Sequence, residues 1–330
     1  MVLVKRKLLT ILIQELVIIM NYAHPEECPA KAIPGVEQGE KERLFPKQRF
    51  TWWLVSVGVT ISALLVFEHQ LTGWSVQSQA GSTPILMLFL LALCCEYIDS
   101  SLGMGYGTAL TPLLMVFGFD PMRVVPCVLL SELVTGCAAG LMHQKDGNVD
   151  FLRDKRAREC VLLLSGLSLV GVTAATALAI SLPRDALKLV IGSIVVAASI
   201  LVLVSTRRRL CYRSRHVILL GMVAAFNKGV SGGGYGPLTT SGQILSGVPA
   251  RNAVAITSVA EAVTCLFGVC GFLWLGSIDL SLAVPLTLGA LMSVPVATVT
   301  IRCFPEQVMR LIVGLMTFLL GSLILLKACF

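Results

Sequence analysis

Apolar runs of about 18 to 24 residues recur from Thr51 to the C-terminus, each long enough to cross a hydrocarbon core of ~30 Å. They place candidate transmembrane helices at 51–67, 124–142, 160–182, 186–205, 252–275, 279–301 and 306–329. Two further apolar regions, 84–119 and 217–247, are longer and are each interrupted by glycine. The interruptions share the form GxGYG: Gly103-Met104-Gly105-Tyr106-Gly107 in the first and Gly232-Gly233-Gly234-Tyr235-Gly236 in the second. Glycine weakens a helix, and a bilayer offers no water to the backbone groups that a break sets free. A break at membrane depth is therefore expected where protein or a wet cavity surrounds it. Matching breaks in two halves of one chain point to a transporter's binding site.

Charge sets the orientation. Lys145, Arg153, Lys155, Arg156 and Arg158 fill one connecting segment, and Arg207, Arg208, Arg209, Arg213 and Arg215 fill another. Both are expected on the cytoplasmic side, and the two crossings between them keep those assignments consistent. The segment from Glu68 to Pro84 has no Lys or Arg, whereas 31–50 carries Lys31, Lys41, Arg43, Lys47 and Arg49. The basic arm is cytoplasmic and the uncharged segment external only if 84–119 enters and leaves on one side. The same reasoning applied to 217–247 puts Arg302 in the cytoplasm. The expected fold is thus all-α and polytopic. It has two inverted repeats, each a re-entrant glycine-broken hairpin plus three transmembrane helices, and one extra N-terminal transmembrane helix. The divisions are a polar, basic arm at 1–50, the extra helix and its loop at 51–83, a first repeat at 84–205 and a second at 206–330. Lys5-Arg6-Lys7 before an apolar stretch from Leu8 to Met20 resembles a signal peptide, although Gln14 and Glu15 interrupt it and no clear cleavage motif follows.

Composition agrees with a membrane protein: 55% of the 330 residues are hydrophobic and only 14% charged. The net charge of +7 is accounted for by basic loops beside apolar spans, so no nucleic-acid partner is expected. The eleven cysteines show no disulfide framework and no zinc spacing. No cofactor or metal is expected.

Aligning the glycine motifs sets Asp99 opposite Lys228, Tyr106 opposite Tyr235, Glu132 opposite Glu261 and Thr135 opposite Thr264. Pro121-Met122-Arg123 matches Pro249-Ala250-Arg251 with a one-residue gap. Ionisable groups at membrane depth cost several kcal/mol and need a partner or a purpose. Asp99 and Lys228 are expected either to form an ion pair closing the repeat interface or to yield Lys228 to an anionic substrate. Glu132 and Glu261 are candidates for proton coupling, against the plainer reading of hydrogen-bonded packing residues. A half-helix starting after a glycine turn points free N–H groups at the turn. Gly103, Gly105, Tyr106 and Gly107 with Thr108 form one candidate oxyanion cradle. Gly232, Gly234, Tyr235 and Gly236 with Thr239 and Thr240 form the other. Asn227, Ser231, Ser100 and Ser101 are further candidate donors.

The segments DSSLGMGYG with HQKDGNVDF, and NKGVSGGGYGP with the downstream SVAEAVT, resemble the sulfite exporter TauE/SafE family, also called the toluene sulfonate uptake permease family. The resemblance covers roughly 84–329. It implies transport of sulfite, organosulfonates or related sulfur anions, coupled to a proton gradient, and assigns Gly103, Gly105, Gly107, Gly232, Gly234 and Gly236 to the glycine-rich signature. Tyr106 and Tyr235 stand where the commoner family pattern has glycine.

The expected partners are a small anionic substrate and the lipid bilayer, with a homodimer left open. A plasma or inner membrane is the expected location, an organelle membrane the alternative. Two other functions compete: an anion channel, which needs no proton-coupled carboxylate, and a non-transporting membrane scaffold. Gly229-Val230-Ser231-Gly232 matches the nucleophile pattern of intramembrane serine proteases. All four histidines precede Ser231, however, so the general base of such an enzyme is missing in its usual order.

Overall fold

A computed structural model describes residues 75–78, 81–103, 106–207, 214–245, 248–274 and 278–300, with separate positions from 311 to 326. The arm at 1–50, the expected crossing at 51–67 and most of that at 306–329 lie outside the described residues, as does Gly105.

The described chain opens with an antiparallel hairpin, β1 (Ser75–Ser78) and β2 (Gly81–Pro84), in which Val76 pairs with Thr83. Sequence alone assigned this stretch to a loop. The hairpin forms because Val76 and Thr83 bury against the helices, while Arg123 Nη1 donates to Gln77 O at 2.9 Å. Helices follow: α1 (Ile85–Leu102), α2 (Tyr106–Val116), α3 (Pro121–Lys145), α4 (Lys155–Ser181) and α5 (Arg184–Arg207). After them come α6 (Ser214–Ser231), α7 (Tyr235–Leu245), α8 (Ala250–Leu273) and α9 (Leu280–Thr300). Five stretches among the described residues are long and apolar enough to cross a membrane: Ile85–Leu102, Pro121–Lys145, Lys155–Ala179, Arg251–Leu273 and Leu280–Thr300.

Local chemistry sets the ends. Asp120 caps α3 by accepting from Met122 N, with Pro121 supplying a preset φ at the first position. Asp154 caps α4, accepting from Arg156 N and Ala157 N. Lys155, Arg156 and Arg158 therefore belong to the first turn of α4, not to the preceding loop, because the capping aspartate starts the helix ahead of its apolar stretch. The two glycine breaks close alike. Gly103 adopts a left-handed conformation (φ 69°) and donates to Asp99 O at 2.5 Å, and Gly232 (φ 71°) donates to Lys228 O at 2.8 Å.

The first broken pair folds back on itself. Ser78 Oγ, at the end of β1 in the hairpin that leads into α1, donates to Phe117 O, just after α2, at 2.9 Å. The 29 residues that make up α1 and α2 would extend over 40 Å as one helix, so this bond requires a hairpin.

Packing exchanges partners between the halves. α1 lies along α9, and α4 lies along α6; α3 packs on α8 at the centre. One apolar cluster joins α1, α2, α3 and α9 around Tyr106, Leu110 and Leu286. Another joins α4, α6, α7 and α8 around Val172, Ala225 and Tyr235. A third, around Leu129, Cys265 and Phe272, ties α3 and α8 to α5. Outward-facing positions such as Leu162, Val170 and Leu141 stay exposed, as expected of surfaces whose solvent is lipid.

Candidate functional site

The two breaks meet in the middle of the molecule with their backbones touching. A Cβ on Gly107 would collide with the carbonyl of Gly232, and one on Gly233 with the carbonyl of Gly107, so only glycine permits this approach. Cross-bonds fix the register: Gly234 N donates to Thr108 Oγ1 at 2.8 Å, and Thr240 Oγ1 donates to Gly103 O at 2.9 Å.

Beside this crossing lies Lys228, fully buried in the last turn of α6, where the helix dipole favours a cation. Its ammonium is held between Glu132 of α3 and Glu261 of α8, contacting Glu132 Oε2 and donating to Glu261 Oε1 at 2.7 Å. These are the two glutamates that the repeat sets in register. One lysine thus sits between two carboxylates contributed equally by the halves. The other Glu132 oxygen, Oε1, accepts from Gly107 N at 3.1 Å, so the start of α2 already rests on an anion. Asp99 is buried and lines the same polar cavity as both glutamates.

The remaining expected donors hold the breaks in shape. Ser231 Oγ donates to Asn227 O at 2.9 Å and accepts from Gly233 N at 3.1 Å. Asn227 packs its amide against Gly234, where no side chain has room. Thr239 Oγ1 donates to Tyr235 O, and Gly236 lies in the first turn of α7. Both tyrosines are fully buried, each in its own apolar cluster. Tyr106 Oη is hydrogen-bonded to Ser131 Oγ at 2.7 Å, whereas Tyr235 Oη is buried with no hydrogen-bond partner among the described residues. Ser101 Oγ donates to Tyr97 O.

Glu96 was not among the residues picked out from sequence. It is buried on α1, accepting from Ser100 Oγ at 2.7 Å and from Thr135 Oγ1 at 3.2 Å. A signal was present: a glutamate three positions before Asp99 in an apolar run lies on the same helix face. Glu96, Asp99, Glu132, Thr135, Gly136, Ala139, Ser258 and Glu261 line one narrow cavity whose free space is on the scale of a single water. Among the described residues, no group of His, Cys, Asp and Glu is arranged to hold a metal ion.

The arrangement sets a helix start and an ammonium around one carboxylate, beside a cavity lined by further buried carboxyl groups. Comparison with known proteins agrees with a transport role. The family model described as "Sulfite exporter TauE/SafE" matches residues 88–324. The chain is 30% identical over 258 residues to "Probable membrane transporter protein YtnM" of Bacillus subtilis (strain 168), a match covering 74% of this chain and 81% of that protein. No solved structure matches. The protein is a multi-pass integral membrane transporter, and it belongs to the TauE/SafE sulfite exporter family.

Proposed function

We propose that the protein is a proton-coupled secondary carrier of small sulfur oxyanions, sulfite or organosulfonates, with its site between two inverted repeats. The observation that carries this reading is the double grip on Glu132, whose carboxylate is held by Gly107 N and by the Lys228 ammonium. Those two donors suit any small oxyanion, and Glu132 fills their site as a tethered one. Arrival of a substrate anion displaces a carboxylate from Lys228. A displaced carboxylate left buried and unpaired is costly, so it takes up a proton. One anion and one proton then move together, through Glu132 or its register partner Glu261.

The inverted-repeat topology is supported by the fold-back of α1 and α2, by the exchange of partners in which α1–α9 mirrors α4–α6, and by basic residues gathered at 145–158. By the same rule the β-hairpin faces outward, and the expected location is the plasma or inner membrane. The cavity is too small for a sulfonate, which fits a carrier closed at its centre.

The test is flux in proteoliposomes. Sulfite or an organosulfonate should accumulate against its gradient when the interior and exterior pH differ, and should exchange at equal pH. Conductive flux with no response to a pH gradient would favour the channel. No flux for any sulfur oxyanion, with folded protein, would favour a scaffold.

A further inference from the structure

We propose that Glu96 is the carboxyl on which the coupled proton is loaded before it reaches Glu132; this rests on the proton-coupled function proposed above. Glu96 differs from the other two glutamates in its partners. Glu132 and Glu261 face an ammonium, which only donates, so protonating either one removes an ion pair and leaves its new O–H without an acceptor there. Glu96 faces two hydroxyls, Ser100 and Thr135, and a hydroxyl both donates and accepts. Glu96 can therefore be hydrogen-bonded in either protonation state, which suits it to hold the proton at rest. Thr135 lies one turn beyond Glu132 on α3, and Glu96 and Glu132 line the same cavity, which has space for a bridging water.

The other groups facing Glu96 are Asp99 and Cys95 on its own helix, Glu132 on α3, Glu261 on α8 and Tyr106 on α2. α9, packed along α1, carries no titratable residue between Leu280 and Thr300. The nearby cation Lys228 is held by Glu132 and Glu261, and among the described residues no ion pair to Glu96 is found. The site is also unpaired in the repeat. The residue in register with Glu96 is Ala225, and Thr264, in register with Thr135, bonds Ser168 instead. One loading carboxyl thus accompanies one lysine. A proton taken from the aqueous side converts the Glu96 carboxylate to the acid. It passes to Glu132 as the anion displaces that carboxylate, and Glu96 is left ionised for the next cycle.

The test uses the full chain in proteoliposomes, with sulfite and an alkyl sulfonate as probes. In Glu96→Gln, exchange at equal pH is expected to persist, while pH-gradient-driven uptake falls by about tenfold or more; Glu96→Asp should regain part of it. Undiminished pH-driven uptake in Glu96→Gln, where the parent is pH-driven, overturns the assignment. So does joint loss of exchange and driven uptake in folded protein, which marks Glu96 as structural. Absence of pH-driven uptake in the parent instead overturns the coupled function itself. If Glu96→Gln does not fold, infrared spectra decide: the protonated-carboxyl band must shift in Thr135→Val, and an unmoved band overturns the proposal.

Discussion

The amide of Gly107 donates to the carboxylate of Glu132 at 3.1 Å, so the first half of the site contains an anion supplied by the protein itself. If that carboxylate holds the substrate's place, neutralising it should free the place. Glu132→Gln is expected to bind sulfite about tenfold more tightly at neutral pH than the parent and with weaker pH dependence. Titration calorimetry in detergent would measure it. Weaker binding in this variant would show that Glu132 helps to hold the substrate rather than competing with it.

Removing the lysine has the opposite effect. Lys228→Met leaves Glu132 and Glu261 buried side by side without their cation, a loss of about 3–5 kcal/mol. Thermal unfolding should show that drop, with partial recovery on adding Glu261→Gln. Anion binding should fall more in Lys228→Met than in Asp99→Asn. Equal loss in both, restored by exchanging the two charges, would point to an Asp99–Lys228 pair instead.

The breaks should tolerate no side chain. Gly103→Ala forces a left-handed φ on an L-residue and sets its Cβ 2.5 Å from Thr240 Oγ1, an expected cost of about 1–3 kcal/mol. Gly233→Ala meets backbone rather than a movable side chain and should be worse. Comparing the two melting temperatures tests that order.

Outside the spans, burial pushes the Asp279 carboxyl up, but hydrogen bonds from Ser281 and Arg123 with the Arg123 charge outweigh it and hold the group below its usual value. Its contribution to stability is present above the unfolded value of about 3.9 and is lost as pH falls through the folded one. Asp279→Asn should be less stable than the parent at neutral pH, by under about 1 kcal/mol because the pair is part-exposed. The gap should close below about pH 4, as melting curves across pH would reveal.

Topology can be read by labelling. Both Gln77 and Leu152 are exposed. In a chain with reactive native cysteines replaced, Gln77→Cys should react with an impermeant thiol reagent from outside and Leu152→Cys only from the cytoplasm. Reaction of both from one side would refute the hairpin topology.

Which parts were legible in the sequence follows from what each pattern encodes. Long apolar runs and the paired breaks appear in the chain because a bilayer leaves the backbone few choices, and α3, α4, α5, α8 and α9 lie close to their expected bounds. Repeat alignment was a poorer guide to contacts. It says that Asp99 and Lys228 are equivalent, and their carbonyls do cap the two breaks in the same way. Equivalence does not name the contacts: Lys228 is held by Glu132 of α3 and Glu261 of α8. Glu96 was missed because the repeat register sets it opposite Ala225, so aligning the halves, which singled out Asp99, Glu132 and Glu261, passed over it. The β-hairpin was missed because four-residue strands carry too little alternation to register.

The pairing of α1 with α9 sets a schedule for biosynthesis. α1 brings Glu96, Asp99 and a glycine break into the bilayer, yet the helix that shelters it is nearly the last of the described helices to leave the ribosome. α6, by contrast, finds α4 already in place. The first hairpin must therefore wait for its partner until α9 has been made. A transporter truncated before α9 should accordingly be recognised as unfinished by membrane quality control, even though most of its spans are present.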